Sequence, residues 1–82
     1  MVKNLSSVVI EVNISYKKLW KMLIDRDMKR IDLQTSVGLS ANTMTKLRKN
    51  EAVSMEVLWR ICCVLGCNLG DIAEFDFSHQ DY

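Results

Sequence analysis

The sequence has no proline and only three glycines, Gly38, Gly66 and Gly70. So few chain breakers favour helices over a turn-rich β fold. Glycines this far apart do not form a phosphate-cradling loop. Histidine occurs once, as His79 near the C-terminus. No Cys–His or Ser–His–Asp arrangement can be built around it, and the acids Asp25, Asp27 and Asp32 read as surface charges beside lysines and arginines. There is no basis for an enzyme. Cysteine occurs three times, as Cys62, Cys63 and Cys67. Adjacent positions and an odd count suit no internal disulfide framework. A structural zinc wants four N/S ligands at recognised spacing, and the fourth is missing. Free cysteines are ordinary small core residues, so neither a metal nor another cofactor is expected, and no small-molecule ligand is evident. No apolar run approaches the ~20 residues that span a bilayer. The N-terminal stretch has one lysine and a short apolar run interrupted by Glu11, a poor secretory leader. The expectation is a cytoplasmic protein without membrane contact.

What is present is one domain's worth of chain, 82 residues with 49% hydrophobic and 26% charged content, as in soluble globular proteins. A domain of this size buries only about two-thirds of its unfolded surface. Its stability margin is thin, and a second subunit would widen it. The net charge of +1 conceals an asymmetry. From Lys17 to Lys49 nine bases face three acids, a net of +6, whereas from Asn50 onward one base faces six acids, a net of −5. Such a distribution steers a polyanion towards one side of the molecule.

The positive half contains the stretch around which the chain is organised, Lys29 to Asn50. Leu33 and Val37 are one helical turn apart. Gly38 follows, where a helix end needs the left-handed conformation that glycine adopts without strain. Ser40 is a good N-cap for a second helix, in which Met44 and Leu47 point inward and Asn42, Thr43, Lys46 and Lys49 are left outside. Two short helices joined by a glycine-containing turn make a helix-turn-helix.

On the N-terminal side, Val8, Ile10 and Val12 alternate with Val9, Glu11 and Asn13, a short strand pattern. A strand needs a neighbour for its backbone groups. The alternating tail from Glu74 to Ser78 can supply one within the chain, a second copy can supply one across a two-fold axis, or the arm can pack loosely on the helices. Ser15 is a candidate cap for a helix from Tyr16 to about Asp27, with Tyr16, Leu19, Trp20, Leu23 and Ile24 as its apolar stripe. On the C-terminal side, Ser54 caps a fourth helix whose stripe is Leu58, Ile61, Cys62 and Leu65 and whose end is Gly66. Asn68 can cap a short fifth helix from Gly70 to Phe75. Trp59 and Cys63 lie off the fourth helix's core stripe. They suit a dimer contact, or cover from the N-terminal arm, with Val8, Ile10 and Val12 as further interface candidates. The expected organisation is an arm (1–14), a helical domain (15–76) and a flexible tail (77–82).

The segment LQTSVGLSANTMTKL resembles the helix-turn-helix of the Cro/cI-type, XRE-like family of small regulators. Leu33, Val37, Gly38, Leu39, Met44 and Leu47 stand at the family's core positions. The continuation VSMEVLWRICCVLGCNLGDI resembles the family's next two helices, so the likeness spans about Tyr16 to Phe75. It implies an all-α, five-helix, lambda-repressor-like domain, here with a short strand-like N-terminal arm. It also implies that the second motif helix enters the DNA major groove. Carried over by position, Ala41, Asn42 and Lys46 would meet bases, through a thymine methyl, an adenine and a guanine respectively. Arg30, Ser40, Thr43 and Lys49 would hold phosphates. The chain departs from the family pattern at Gln34, often Ala where the helices cross, and at Asn50, often Gly. Leu23 and Arg48 replace an Arg–Glu pair that many members use between the first and third helices.

The resemblance implies a sequence-specific regulator of transcription, a repressor acting as a homodimer on a pseudo-palindromic site in double-stranded DNA. The alternative is an antitoxin-like or accessory module that uses the same fold to hold another protein.

Overall fold

The computed structural model describes residues 13–77. Its order is a two-residue strand β1 (Ile14–Ser15), α1 (Lys17–Asp25), α2 (Arg30–Val37), α3 (Ala41–Arg48), α4 (Met55–Leu65), a 3-10 turn (Leu69–Asp71) and a second strand β2 (Glu74–Phe75). The arm residues Val8, Ile10 and Val12 and the tail from Ser78 lie outside the described residues.

The helices form around one buried cluster. Tyr16, Leu19, Leu33, Leu47, Ile61 and Ile72 are fully buried, with Leu23, Val37, Met44, Leu58 and Leu65 beside them. Apart from Tyr16 and Ile72, which flank helical segments, these are the inward positions of the four helices, at three- and four-residue steps. Cys62 and Cys67 are half-buried against the cluster. Burial pushes the Cys62 thiol up to about 11, and the neighbouring Cys67 adds to the rise. A thiol held protonated in this way is a packing group rather than a nucleophile. Among the described residues no cluster of His, Cys, Asp and Glu has a metal-site arrangement. No described helix is long and apolar enough to cross a membrane.

Two details of α1 differ from expectation. Its first turn starts one residue later, with Tyr16 at the cap position and Ser15 Oγ accepting the Lys17 N–H at 3.3 Å. Tyr16 is instead fixed by long-range bonds: its N–H donates to Asn50 Oδ1 at 3.1 Å, and its phenol donates to the Glu51 carbonyl at 2.8 Å. Ile24, expected in the apolar stripe, is 73% exposed. It lies at the edge of the stripe and lines a shallow recess with Trp20, Met28 and Arg30, and no described element covers it.

The fifth helix is the larger difference. Asn68 Oδ1 accepts the Leu69 N–H and Asp71 Oδ2 accepts the Asn68 N–H, each at 2.9 Å. This reciprocal cap closes a single 3-10 turn. Ile72 and Ala73 then bury themselves, and the chain extends. Glu74 and Phe75 pair antiparallel with Ser15 and Ile14, and Asp76 N–H donates to the Asn13 carbonyl at 2.8 Å. Strand pairing supplied by β1 wins over helix continuation. Within the described residues the tail therefore does pair within the chain, at Ile14–Ser15 and through the Asn13 carbonyl; the alternating residues upstream of Asn13 lie outside the described residues.

Candidate nucleic-acid interface

The turn between α2 and α3 is set by local chemistry. Gly38 has φ +77 and ends α2 in the left-handed conformation. The Gly38 and Leu39 N–H groups both return to the Gln34 carbonyl at 2.9 Å, which closes the helix end. The Val37 and Gly38 carbonyls accept from Arg60 Nη2 at 2.6 and 3.3 Å, so α4 clamps the turn from behind. Leu39 is buried and anchors the next step of the chain.

Ser40 then caps α3. Its Oγ accepts the Thr43 N–H at 3.1 Å and donates to Thr43 Oγ1 at 3.0 Å. By helix geometry the Ala41 and Asn42 N–H groups have no intrahelical acceptor, and they give the α3 start its partial positive charge. At the other end of α3, Asn50 adopts φ +57, the left-handed conformation that asparagine tolerates where the family often has glycine.

Met44 and Leu47 hold α3 to the core. Its outer side carries Ala41, Asn42, Lys46 and Lys49, all exposed. Asn42, Lys46 and Lys49 follow one another at steps of four and three residues and so form one line along the helix. No other described element covers that line. Thr43 is half-buried, and its hydroxyl is engaged by Ser40. Arg30 stands exposed at the first position of α2, with its guanidinium carbon 4.9 Å from the centre of the Trp20 ring. That stacking holds the cation in place without neutralising it. At the same helix end Asp32 accepts the Lys29 N–H at 2.8 Å, so the α2 start already has its anion.

Sequence reading missed three features of this surface. Thr45 and Arg48 follow Ala41 at steps of four and three residues and, with Arg30, Ile31 and Gln34, line a groove of about 210 Å³ between the two motif helices. Arg48 Nη2 lies 3.4 Å from Thr45 Oγ1. The i, i+4, i+7 spacing carried that signal. The Trp20–Arg30 stack and the Arg60 clamp carried none, because both join residues distant in the chain.

Two helices at a glycine turn, the second presenting an amide and two ammonium groups outward, define a helix-turn-helix domain. The chain belongs to the Cro/C1-type helix-turn-helix DNA-binding family, whose model matches residues 18–78. It is similar to the transcriptional regulator VanUg. The crystal structure of that protein, form II, shares 49% sequence identity and a TM-score of 0.80 over 92% of this chain and 97% of that one. No curated protein sequence matches the chain.

Proposed function

We propose that the chain is a sequence-specific transcriptional regulator, a repressor, that inserts α3 into the major groove of double-stranded DNA. Family membership supports DNA binding. The observation that carries the finer reading is the exposed Asn42–Lys46–Lys49 line on a helix fixed at both ends. Asn42 reads adenine through its amide, Lys46 donates to guanine, and Ala41 meets a thymine methyl. Lys49 and the Trp20-stacked Arg30 hold phosphates, while Ser40 and Thr43 contact the backbone near the α3 start. A homodimer sets two such helices about 34 Å apart on a pseudo-palindrome. Occupancy of a promoter site is enough to repress and needs no further contact. The protein acts by binding, not catalysis, in the cytoplasm, where the DNA lies.

Selection of bound sites from a random DNA pool, followed by titration of the recovered site, tests this. Lys46→Ala is expected to weaken binding to that site by about 1–3 kcal/mol. Equal affinity for every sequence, untouched by the substitution, contradicts it and favours a module that holds another protein.

A further inference from the structure

Beside the Asn42–Lys46–Lys49 line, α3 carries a second row, Ala41, Thr45 and Arg48, with its two ends exposed. By helix geometry the two rows lie about 100° apart around the axis. The second row faces the groove between the motif helices, which α2 lines with Arg30, Ile31 and Gln34. No acid lines that groove, and among the described residues neither arginine is in an ion pair. Both guanidiniums are nonetheless held, each by a neutral group. Thr45 Oγ1 donates to the Ala41 carbonyl at 3.0 Å and accepts from Arg48 Nη2 at 3.4 Å. Arg30 is stacked on Trp20. Each cation therefore keeps its full charge and most of its five N–H donors. Ile31, in the same lining, is 59% exposed, an apolar side chain that no described element covers.

We propose that this groove holds one sugar–phosphate unit of a DNA strand, with Arg48 and Arg30 sharing the phosphate and Ile31 against the deoxyribose. The proposal rests on the DNA-binding reading above and adds to it a contact at Arg48. Dimensions select the strand backbone as the occupant. A helix with its side chains is about 10–12 Å across, and the major groove is about 12 Å wide. A helix that turns Asn42 and Lys46 to the floor of that groove presents a row about 100° further round to one of its walls. The wall is sugar and phosphate. Of the two flanks of α3, the Arg48 side is the cationic one. On the other flank Thr43 is half-buried, with its hydroxyl engaged by Ser40. The chemistry of the lining matches the occupant: guanidinium N–H groups pair well with phosphate oxygens, and the carbon face of a deoxyribose gives Ile31 the cover it lacks. Arg48 is thus a positioning residue, which fixes α3 against one strand without reading sequence.

The test is the affinity of the full chain for a selected site and for random DNA, read by fluorescence anisotropy from ~50 to ~300 mM salt. Arg48→Gln is expected to lower the slope of log affinity against log salt by about 0.9, the value for one phosphate. It should weaken both DNAs by the same factor. Arg48 is exposed, so helical circular dichroism should be retained. Arg48→Lys keeps the charge and should keep the slope. Ile31→Ser should weaken both DNAs about threefold to tenfold at an unchanged slope, because a sugar contact releases no counterion. Lys18→Gln removes the same charge beside the strand pair, where Lys18 meets Glu74, and should leave the slope alone. A wild-type slope in Arg48→Gln, an equal drop in Lys18→Gln, or wild-type affinities in Ile31→Ser would overturn the proposal. So would a loss in Arg48→Gln confined to the selected site, which would assign Arg48 to a base. If Lys46→Ala cuts the ratio of selected to random affinity while Arg48→Gln keeps the wild-type slope, the groove contact fails and the DNA reading stands. A wild type that binds no DNA sinks both.

Discussion

The outer side of α3 and the face built from α4 and the strand pair are both open to solvent, but by opposite chemistry. On α3 the exposed groups are an amide and two ammoniums, which water solvates well. In the proposed reading they exchange those hydrogen bonds for equivalent ones on the nucleic acid, so they discriminate among partners more than they drive association. On the other face the exposed groups are Met55, Trp59 and Phe75, which gain from burial in proportion to area and discriminate little. In the proposed reading, recognition therefore belongs to the α3 surface and not to this apolar one. The core beneath joins them: Arg60 reaches from α4 to the turn that aims α3, and the Tyr16 phenol reaches the loop between α3 and α4.

The harshest way to break this division is through the shared core. Leu33 is fully buried, and Leu33→Ala should cost about 2–5 kcal/mol. Thermal melting should then show DNA binding and self-association lost together. Retention of one without the other would mean that the two faces do not depend on a common core.

A milder change should damage the α3 side alone. Gly38 sits at φ +77, and a Cβ there would come within 3.1 Å of Arg60 Nη2. Gly38→Ala is expected to cost about 1–2 kcal/mol from the left-handed backbone and to loosen the Arg60 clamp. Affinity for a selected DNA site should fall while self-association remains. An unchanged affinity would show that the clamp does not aim α3.

The smallest effect concerns pH. Burial raises the Tyr16 phenol above its ordinary value near 10, with a Val53 backbone hydrogen bond partly opposing the shift. The folded chain therefore keeps a proton that the unfolded chain releases. The corresponding stability is complete below the unfolded value and is lost as pH rises through the folded one. Tyr16→Phe should flatten this alkaline decline in denaturant melts, at a cost of about 1 kcal/mol near neutrality for the lost bond to Glu51. A decline as steep in the variant would assign it to other groups.

Much of this was legible in the sequence because it is local. Gly38, the Ser40 cap, the Ser54 cap and the inward steps of Leu33, Val37, Met44 and Leu47 depend on residues a turn apart, and the structure has them as read. The fifth helix failed for the opposite reason. Glu74 and Phe75 carry both a helical and an alternating pattern, and only the presence of Ile14 and Ser15 alongside decides between them. Ile24 was misjudged because an apolar stripe says which residues can be buried, not how wide the covering surface is. The Trp20–Arg30 stack and the apolar grooves join distant segments, and no spacing rule announces them. The exposure of Asn42 and Lys46 was legible from their spacing against Met44 and Leu47.

The most direct measurement is the ratio of affinities for a selected site and for random DNA at one salt concentration, taken for wild type, Asn42→Ala and Lys46→Ala. If α3 reads bases, each substitution should cut that ratio by about tenfold or more, with affinity for random DNA changing far less. A ratio that stays constant, with both affinities falling in parallel, would mean that these side chains touch only the phosphate backbone and that α3 does not read sequence.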